Sequence, residues 1–227
     1  MSGSNEASTI TFVSNGEPIV GALATPAGEQ RVGGIVVVHE WWGLTSHIRD
    51  IAGRWAAAGF VALAPDLYRG EVAVDAERAQ QLMTALPRER AMADIAATVA
   101  TLRAHPRCNG NVIITGYCMG GSLALRAACE VRGLVGVVPF YGIPGPAQWQ
   151  AVEAPVMMHV ASRDEWVTPA AAHALQRTLH DLGKTCEVHV YQADHAFCND
   201  SRPRVYQAAE AALAWDRTIA FARTQTA

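Results

Sequence analysis

An α/β fold built on a mostly parallel sheet is what this sequence predicts, and three observations carry the prediction. Short runs of β-branched and aliphatic residues recur along the chain without the polar alternation of a strand that has one face in water. Between them lie segments with apolar residues at helical spacing, the alternation that parallel strands and their crossover helices require. The chain opens differently, on STITFVSNGEPIVGALA at 8–24, where two β-rich segments flank Asn15-Gly16, a pair suited to a tight hairpin turn. The expected architecture is an antiparallel pair leading into a parallel sheet covered by helices on both faces.

The elements follow in order. GGIVVVHE at 33–40 reads as a buried strand, and HIRDIAGRWAAAG follows with Ile48, Ile51, Ala52 and Trp55 on one helical face and Ser46 as its expected N-cap. FVALAPD at 60–66 is the next buried strand, succeeded by a polar loop and one or two helices between about 74 and 104. NVIITGYC forms another strand, a helix starts near Met119, and GLVGVVPFYG at 133–142 and APVMMHVASRD at 154–164 are further strands. Thr168-Pro169 places a cap and an N1 proline in the order that begins a helix. TCEVHVYQ at 185–192 is the last strand, and an Ala-rich amphipathic helix from about 203 to 223 closes the chain.

At 227 residues, half of them hydrophobic, the chain can bury one sizeable core, and no linker divides it. A single domain over 1–227 is expected, with residues 1–7 as a flexible tail. A net charge of −3 and scattered Lys and Arg argue against nucleic acid as a partner. The N-terminus has no signal-like pattern and no apolar run is long enough for a bilayer, so a cytoplasmic protein without a membrane partner is expected. The five cysteines have no paired metal-type spacing and read as reduced thiols. Cys198 with His195 is an isolated pair, so neither metal nor organic cofactor is expected. The expected state is a monomer or small homo-oligomer.

Chemistry concentrates where strands end, because in such sheets the loops beyond the carboxyl edge carry function. Gly116-Tyr117-Cys118-Met119-Gly120 matches the nucleophile elbow G-x-S-x-G with sulfur in place of oxygen. The turn strains the nucleophile's backbone and brings neighbouring chain too close for side chains at the flanking positions. The helix that follows offers free amides and a positive dipole end, so position alone is expected to activate a thiolate there. The competing reading is a small buried hydrophobe, the role expected of Cys108, Cys129 and Cys186.

An elbow nucleophile needs a base and an orienting acid further along the chain. His195 lies just past the last strand, whereas His173 and His180 fall within a helix and His189 within the strand. Asp164 ends an earlier strand, with Glu165 as its near rival and Asp194 as a loop residue or cap. Glu40 is carried to the same sheet edge, near the turn that commonly supplies an oxyanion-hole amide; a surface acid or helix cap is the alternative. Trp41, Trp42 and Trp166 follow strand ends too, as pocket walls or as plain packing.

Four segments in order, HEWWGLTSHIRDIAGRWAAAGFVALAPDLYRG, GYCMGGSLAL, ASRDEWVTP and DHAF, resemble the dienelactone hydrolase family, also called carboxymethylenebutenolidases, within the α/β-hydrolase superfamily. The resemblance spans nearly the whole chain and implies an α/β-hydrolase fold. It implies a triad of Cys118, His195 and Asp164, with backbone amides of Trp41 and Met119 as the oxyanion hole. It also implies that Glu40 pairs with the resting thiol and shares in its activation. Two departures stand out. The family's arginine four residues after the histidine, which helps bind the substrate carboxylate, is replaced by Asn199, and Arg78 is the nearest match to a second arginine. Arg202 and Arg204 follow closely, at the expected start of the last helix.

The function expected is cysteine-dependent hydrolysis of an enol lactone or activated ester through an acyl-enzyme, with Trp42, Arg78, Trp166 and Asn199 as candidate substrate contacts. A thiolate leaves as readily as it attacks, so the departing oxygen must itself be stabilised, as an enolate or phenolate is. The alternatives are a ligand-binding hydrolase relic and a glutaminase-type amidohydrolase; the latter normally has its acid close after its histidine.

Overall fold

The structure is a computed structural model that describes residues 6–227. The hairpin forms as expected. Strands β1 (Ser8–Ser14) and β2 (Glu17–Ala24) pair antiparallel around Asn15 and Gly16, both with positive φ as a tight two-residue turn demands. The chain continues through β3 (Val32–Val38), α1 (Ser46–Ala57), β4 (Val61–Pro65), α2 (Ala76–Ala85) and α3 (Arg88–Ala104). Then come β5 (Cys108–Tyr117), α4 (Met119–Glu130), β6 (Leu134–Phe140), β7 (Val156–Ala161), α5 (Pro169–Asp181), β8 (Cys186–Tyr191) and α6 (Ala208–Thr226).

All eight strands join one sheet in the order β1-β2-β4-β3-β5-β6-β7-β8. β2 meets β4 antiparallel, and every pairing from β4 to β8 is parallel. Successive strand residues feed opposite faces, as a pleated strand dictates. Val36 and Val38 of β3 join the core under α3, α4 and α5, while Ile35 and Val37 join the core under α1 and α6. Strands buried on both faces show no polar alternation, which explains the continuous apolar runs.

Two local expectations, the cap of α1 and the start of the last helix, are corrected. Ser46 is the first helical residue of α1, and Thr45 holds the N-cap position without a side-chain cap bond. Two helices follow β4, within the expected one or two: Asp75 caps the first by accepting from the Arg78 N–H at 2.8 Å, and Pro87, which lacks an N–H, separates them. The last helix begins at Ala208 rather than 203, because residues 197–207 are held in turns. There the N–H groups of Arg202 and Gln207 donate to the carbonyls of Asn199 and Phe197, each at 3.0 Å. The expected tail falls mostly on residues 1–5, outside the described residues, but Ala7 packs against the face that carries α1.

Register sets up the site. Val38 lies beside Gly116, Tyr117 beside Phe140, Phe140 beside His159 and Ala161 beside Tyr191. The carboxyl ends of β3, β5, β6, β7 and β8 therefore stand level, and the residues just beyond them meet along one edge.

Candidate active site

Cys118 occupies the turn between β5 and α4 with φ 55°, a left-handed conformation costly for a side-chain-bearing residue. Its N–H donates to the Phe140 carbonyl at 3.0 Å, and its own carbonyl accepts from the Ser122 N–H at 3.1 Å, so the turn is clamped from both sides. The flanking glycines answer to crowding. A Cβ on Gly116 would strike the Gly120 carbonyl, and one on Gly120 would strike the Val38 carbonyl. Neither glycine is required for a positive φ; backbone simply occupies the space.

The thiol in this turn is protonated at rest. Burial, then the Glu40 carboxylate, push it up to about 12, outweighing the Met119 N–H that favours the thiolate. Activation of the thiol by position alone is therefore corrected: a helix N-terminus is too weak against an apolar setting beside an acid. The amides of Trp41 and Met119 donate to no backbone carbonyl among the described residues, and that of Met119 faces the Cys118 sulfur.

His195 lies in the loop after β8, its Nδ1 2.6 Å from Asp164 Oδ2. Burial opposes ionisation of Asp164, but the His195 hydrogen bond and the N–H groups of Val167 and Trp166, donating to Oδ1 at 3.0 and 2.9 Å, hold its carboxyl below the usual range. An ionised carboxylate only accepts, so Nδ1 carries the proton and Nε2 is the basic nitrogen. That Nε2 is buried and has no hydrogen-bond partner among the described residues. The rivals stand elsewhere: Glu165 is exposed, and Asp194 pairs with Arg163 at the surface.

Glu40 is buried rather than a surface acid or cap. Its Oε2 accepts from Asn199 Nδ2 at 2.6 Å, and its Oε1 has no partner among the described residues. Burial raises its pKa to about 7 against the Asn199 hydrogen bond and the charges of His195 and Arg202. His39 fixes the backbone here. Its Nε2 accepts from the Leu67 N–H at 3.2 Å, so its Nδ1 donates to the Glu40 carbonyl at 2.6 Å, and burial keeps the ring neutral.

Of the candidate substrate contacts, Trp41, Trp42 and Trp166 form an edge-to-face chain with ring centroids 5.1 and 6.3 Å apart, and Trp166 meets the His195 ring at 4.7 Å. Trp166 is 71% exposed, an apolar face uncovered beside the histidine. Asn199 is turned inward, both polar ends engaged, since its Oδ1 accepts from the Ser201 N–H and hydroxyl. Arg78 is exposed on α2 and paired with Glu71. Cys198 is turned into the fold, its thiol pushed well above the usual range by burial. Among the described residues no group of three or more metal-ligating side chains gathers.

Sequence reasoning missed His39, Tyr141 and the inward role of Asn199. Tyr141 has φ 39° and packs edge-on against His195 at 5.0 Å. Its signal was the aromatic directly after the β6 run, at the height of the other strand ends. Arg202 is not at a helix start; its guanidinium lies 4.7 Å over the Trp42 ring.

A mostly parallel eight-stranded sheet covered by helices, with a strained cysteine turn between β5 and α4, is the architecture of an α/β-hydrolase. The chain belongs to the dienelactone hydrolase family, whose profile matches residues 19–226. It is 34% identical to protein usf of Aquifex pyrophilus over 93% of this chain and 96% of that one. It is 30% identical to carboxymethylenebutenolidase 1 of Cupriavidus pinatubonensis over 84% and 82% of the two chains. In fold it matches the solved structure of a dienelactone hydrolase-like promiscuous phosphotriesterase from metagenomic libraries. That TM-score is 0.88, at 22% identity over 97% of this chain and 98% of the other. No described helix is long and apolar enough to cross a membrane.

Proposed function

We propose that this protein hydrolyses enol lactones or activated carboxylic esters through an acyl-enzyme on Cys118, with His195 and Asp164 completing the triad. The observation that carries the reading is the 2.6 Å contact of His195 Nδ1 with ionised Asp164 while Nε2 stays unpartnered, alongside a cysteine held at φ 55°. That arrangement fixes the tautomer with its basic nitrogen available to a reacting group.

In this mechanism the Cys118 thiol gives up its proton as substrate enters. Glu40, with a pKa of about 7, is ionised in a large share of molecules at neutral pH and can receive it. The sulfur then bonds to the carbonyl carbon, and the amides of Trp41 and Met119 hold the oxyanion. The carbon–oxygen bond to the leaving group then breaks, and the oxygen departs as an enolate or phenolate stable enough to leave without a proton. Neutral His195 next takes a proton from water at Nε2, the hydroxide attacks the thioester, and Cys118 leaves as the thiolate. Glu40 returns its proton to the sulfur, and the imidazolium, stabilised by Asp164, gives its proton to the released oxygen or to solvent. The cytoplasm, a reducing setting, would keep Cys118 in the thiol form this cycle needs.

The test is turnover of 4-nitrophenyl acetate and cis-dienelactone by purified protein and by Cys118→Ala. The variant should lose at least about a thousandfold in kcat, and mass spectrometry of His195→Gln should trap an acyl group on Cys118. Undiminished hydrolysis by Cys118→Ala would sink the nucleophile assignment. Absence of turnover on any ester would favour a binding role, and ammonia release from glutamine would point to an amidohydrolase.

A further inference from the structure

We propose that Tyr191 is a positioning residue for the Asp164–His195 pair, its hydroxyl tied to His159 and Arg217 so that the histidine loop is held for the second, hydrolytic half of the cycle. The inference rests on the hydrolase reading above and gives a role to a buried polar chain that the mechanism leaves unused.

Tyr191 ends β8 and His159 sits in the neighbouring strand β7, both buried. The backbone carbonyl of Tyr191 accepts from the N–H groups of Ser162 and Ala193, each at 2.8 Å. Ser162 stands two residues before Asp164 and Ala193 two before His195, so one carbonyl holds the roots of both loops. The Arg163 N–H, donating to the Ala193 carbonyl at 3.1 Å, closes the same junction. The Tyr191 ring packs against Phe197 at 5.1 Å, Phe197 against Tyr141 at 5.6 Å, and Tyr141 edge-on against His195 at 5.0 Å. A shift of that ring is passed to the histidine through close-packed neighbours.

Hydrogen bonds fix the far end of the ring. Thr218 donates its hydroxyl to the Ala214 carbonyl at 2.7 Å, so toward His159 Nε2, 2.9 Å away, it accepts. His159 therefore carries its proton on Nε2, and its Nδ1 accepts from the Tyr191 hydroxyl across 2.7 Å. Arg217 Nη1 donates to the same hydroxyl oxygen at 3.1 Å. Burial, with His189 and Arg217 nearby, holds His159 neutral, the state this proton order needs. Strands β7 and β8 and helix α6 thus meet at one buried hydroxyl. Apolar packing alone would be served by phenylalanine, whereas these bonds fix the direction of the ring.

Tyr191→Phe removes the hydroxyl and leaves the ring. With enzyme in excess over 4-nitrophenyl acetate, nitrophenol release reads acylation, which uses Cys118 and Glu40. Decay of the acyl mass on Cys118 reads deacylation, which uses His195. Deacylation should slow about tenfold while acylation stays within about twofold. Arg217→Met, at the surface end of the chain, should slow the same step, and gives the answer if Tyr191→Phe does not fold. Thr98→Val, which removes a buried hydroxyl bonded to the Asp94 carbonyl on α3, should change neither rate. Equal slowing of both steps, or of neither, would overturn the assignment. The histidine is also read without substrate. In protein carrying isotope-labelled histidine, the low-field proton of His195 Nδ1, bonded to Asp164, should move upfield in Tyr191→Phe and stay in place in Thr98→Val. An unmoved resonance in Tyr191→Phe would reject the positioning role, whereas absence of nitrophenol release from the wild type would remove the hydrolase reading alone.

Discussion

Asn199 donates its side-chain amide to Glu40 across 2.6 Å in the interior of the protein, joining the loop that follows His195 to the end of β3. The two residues are far apart in the chain, and the bond is the direct polar tie between the histidine loop and the buried acid. A neutral donor there tempers, without abolishing, the rise that burial imposes on Glu40.

Removing that donor should therefore move the pH profile. Asn199 favours the ionised form of Glu40, so Asn199→Ala raises the Glu40 pKa above about 7. If ionised Glu40 receives the thiol proton, kcat/KM rises with pH through that pKa. The acid limb of the profile in Asn199→Ala should then shift to higher pH, measured with a neutral ester from pH 5 to 9. A limb in its wild-type place would separate Glu40 from thiol activation.

Stability should carry the same signature with a definite sign. The Glu40 pKa is raised from 4.5 to about 7 in the folded protein, so between those values the native state holds more protons than the unfolded chain. The contribution of Glu40 is most favourable below about pH 4.5 and is lost as pH rises through about 7. Relative to Glu40→Gln, which cannot ionise, wild-type unfolding free energy should decline by about 3 kcal/mol between pH 5 and pH 8. Urea denaturation of both proteins at the two pH values measures this; parallel behaviour would refute it.

Asp164→Asn keeps an oxygen for the Trp166 and Val167 amides but turns an NH2 group toward His195 Nδ1. The histidine then favours the tautomer with its proton on Nε2, the wrong atom for a base. We expect kcat to fall by roughly 10² to 10⁴ with the fold retained, read by ester turnover and circular dichroism together.

Gly120→Ala tests the crowding at the elbow. The added Cβ would meet the carbonyls of Val38 and His39, both backbone, and no rotamer change relieves that. A loss of about 3 kcal/mol or more is expected, seen as low soluble yield or an early urea midpoint. Gly145→Ala, whose Cβ would meet nothing within 4 Å, is the control.

Much of this was legible in the chain. The apolar runs marked strands buried on both faces, Asn15-Gly16 marked the hairpin, and Thr168 caps α5 by accepting from the Ala171 N–H at 3.2 Å. Cys118, Asp164, His195 and Glu40 were each placed by local pattern at the end of a strand. Such patterns are readable because burial periodicity and turn chemistry are properties of neighbours in sequence.

Long-range facts were decided only by the tertiary structure. The thiol is protonated because the assembled core strips water from it and sets Glu40 beside it, an effect no local motif encodes. Asn199 faces Glu40, and Arg202 lies over Trp42, because the turns of residues 197–207 delay α6 until Ala208. Sequence determined at which sheet edge the candidate residues gather. Three-dimensional packing determined their charges and partners, since desolvation and contact depend on what surrounds a group in space.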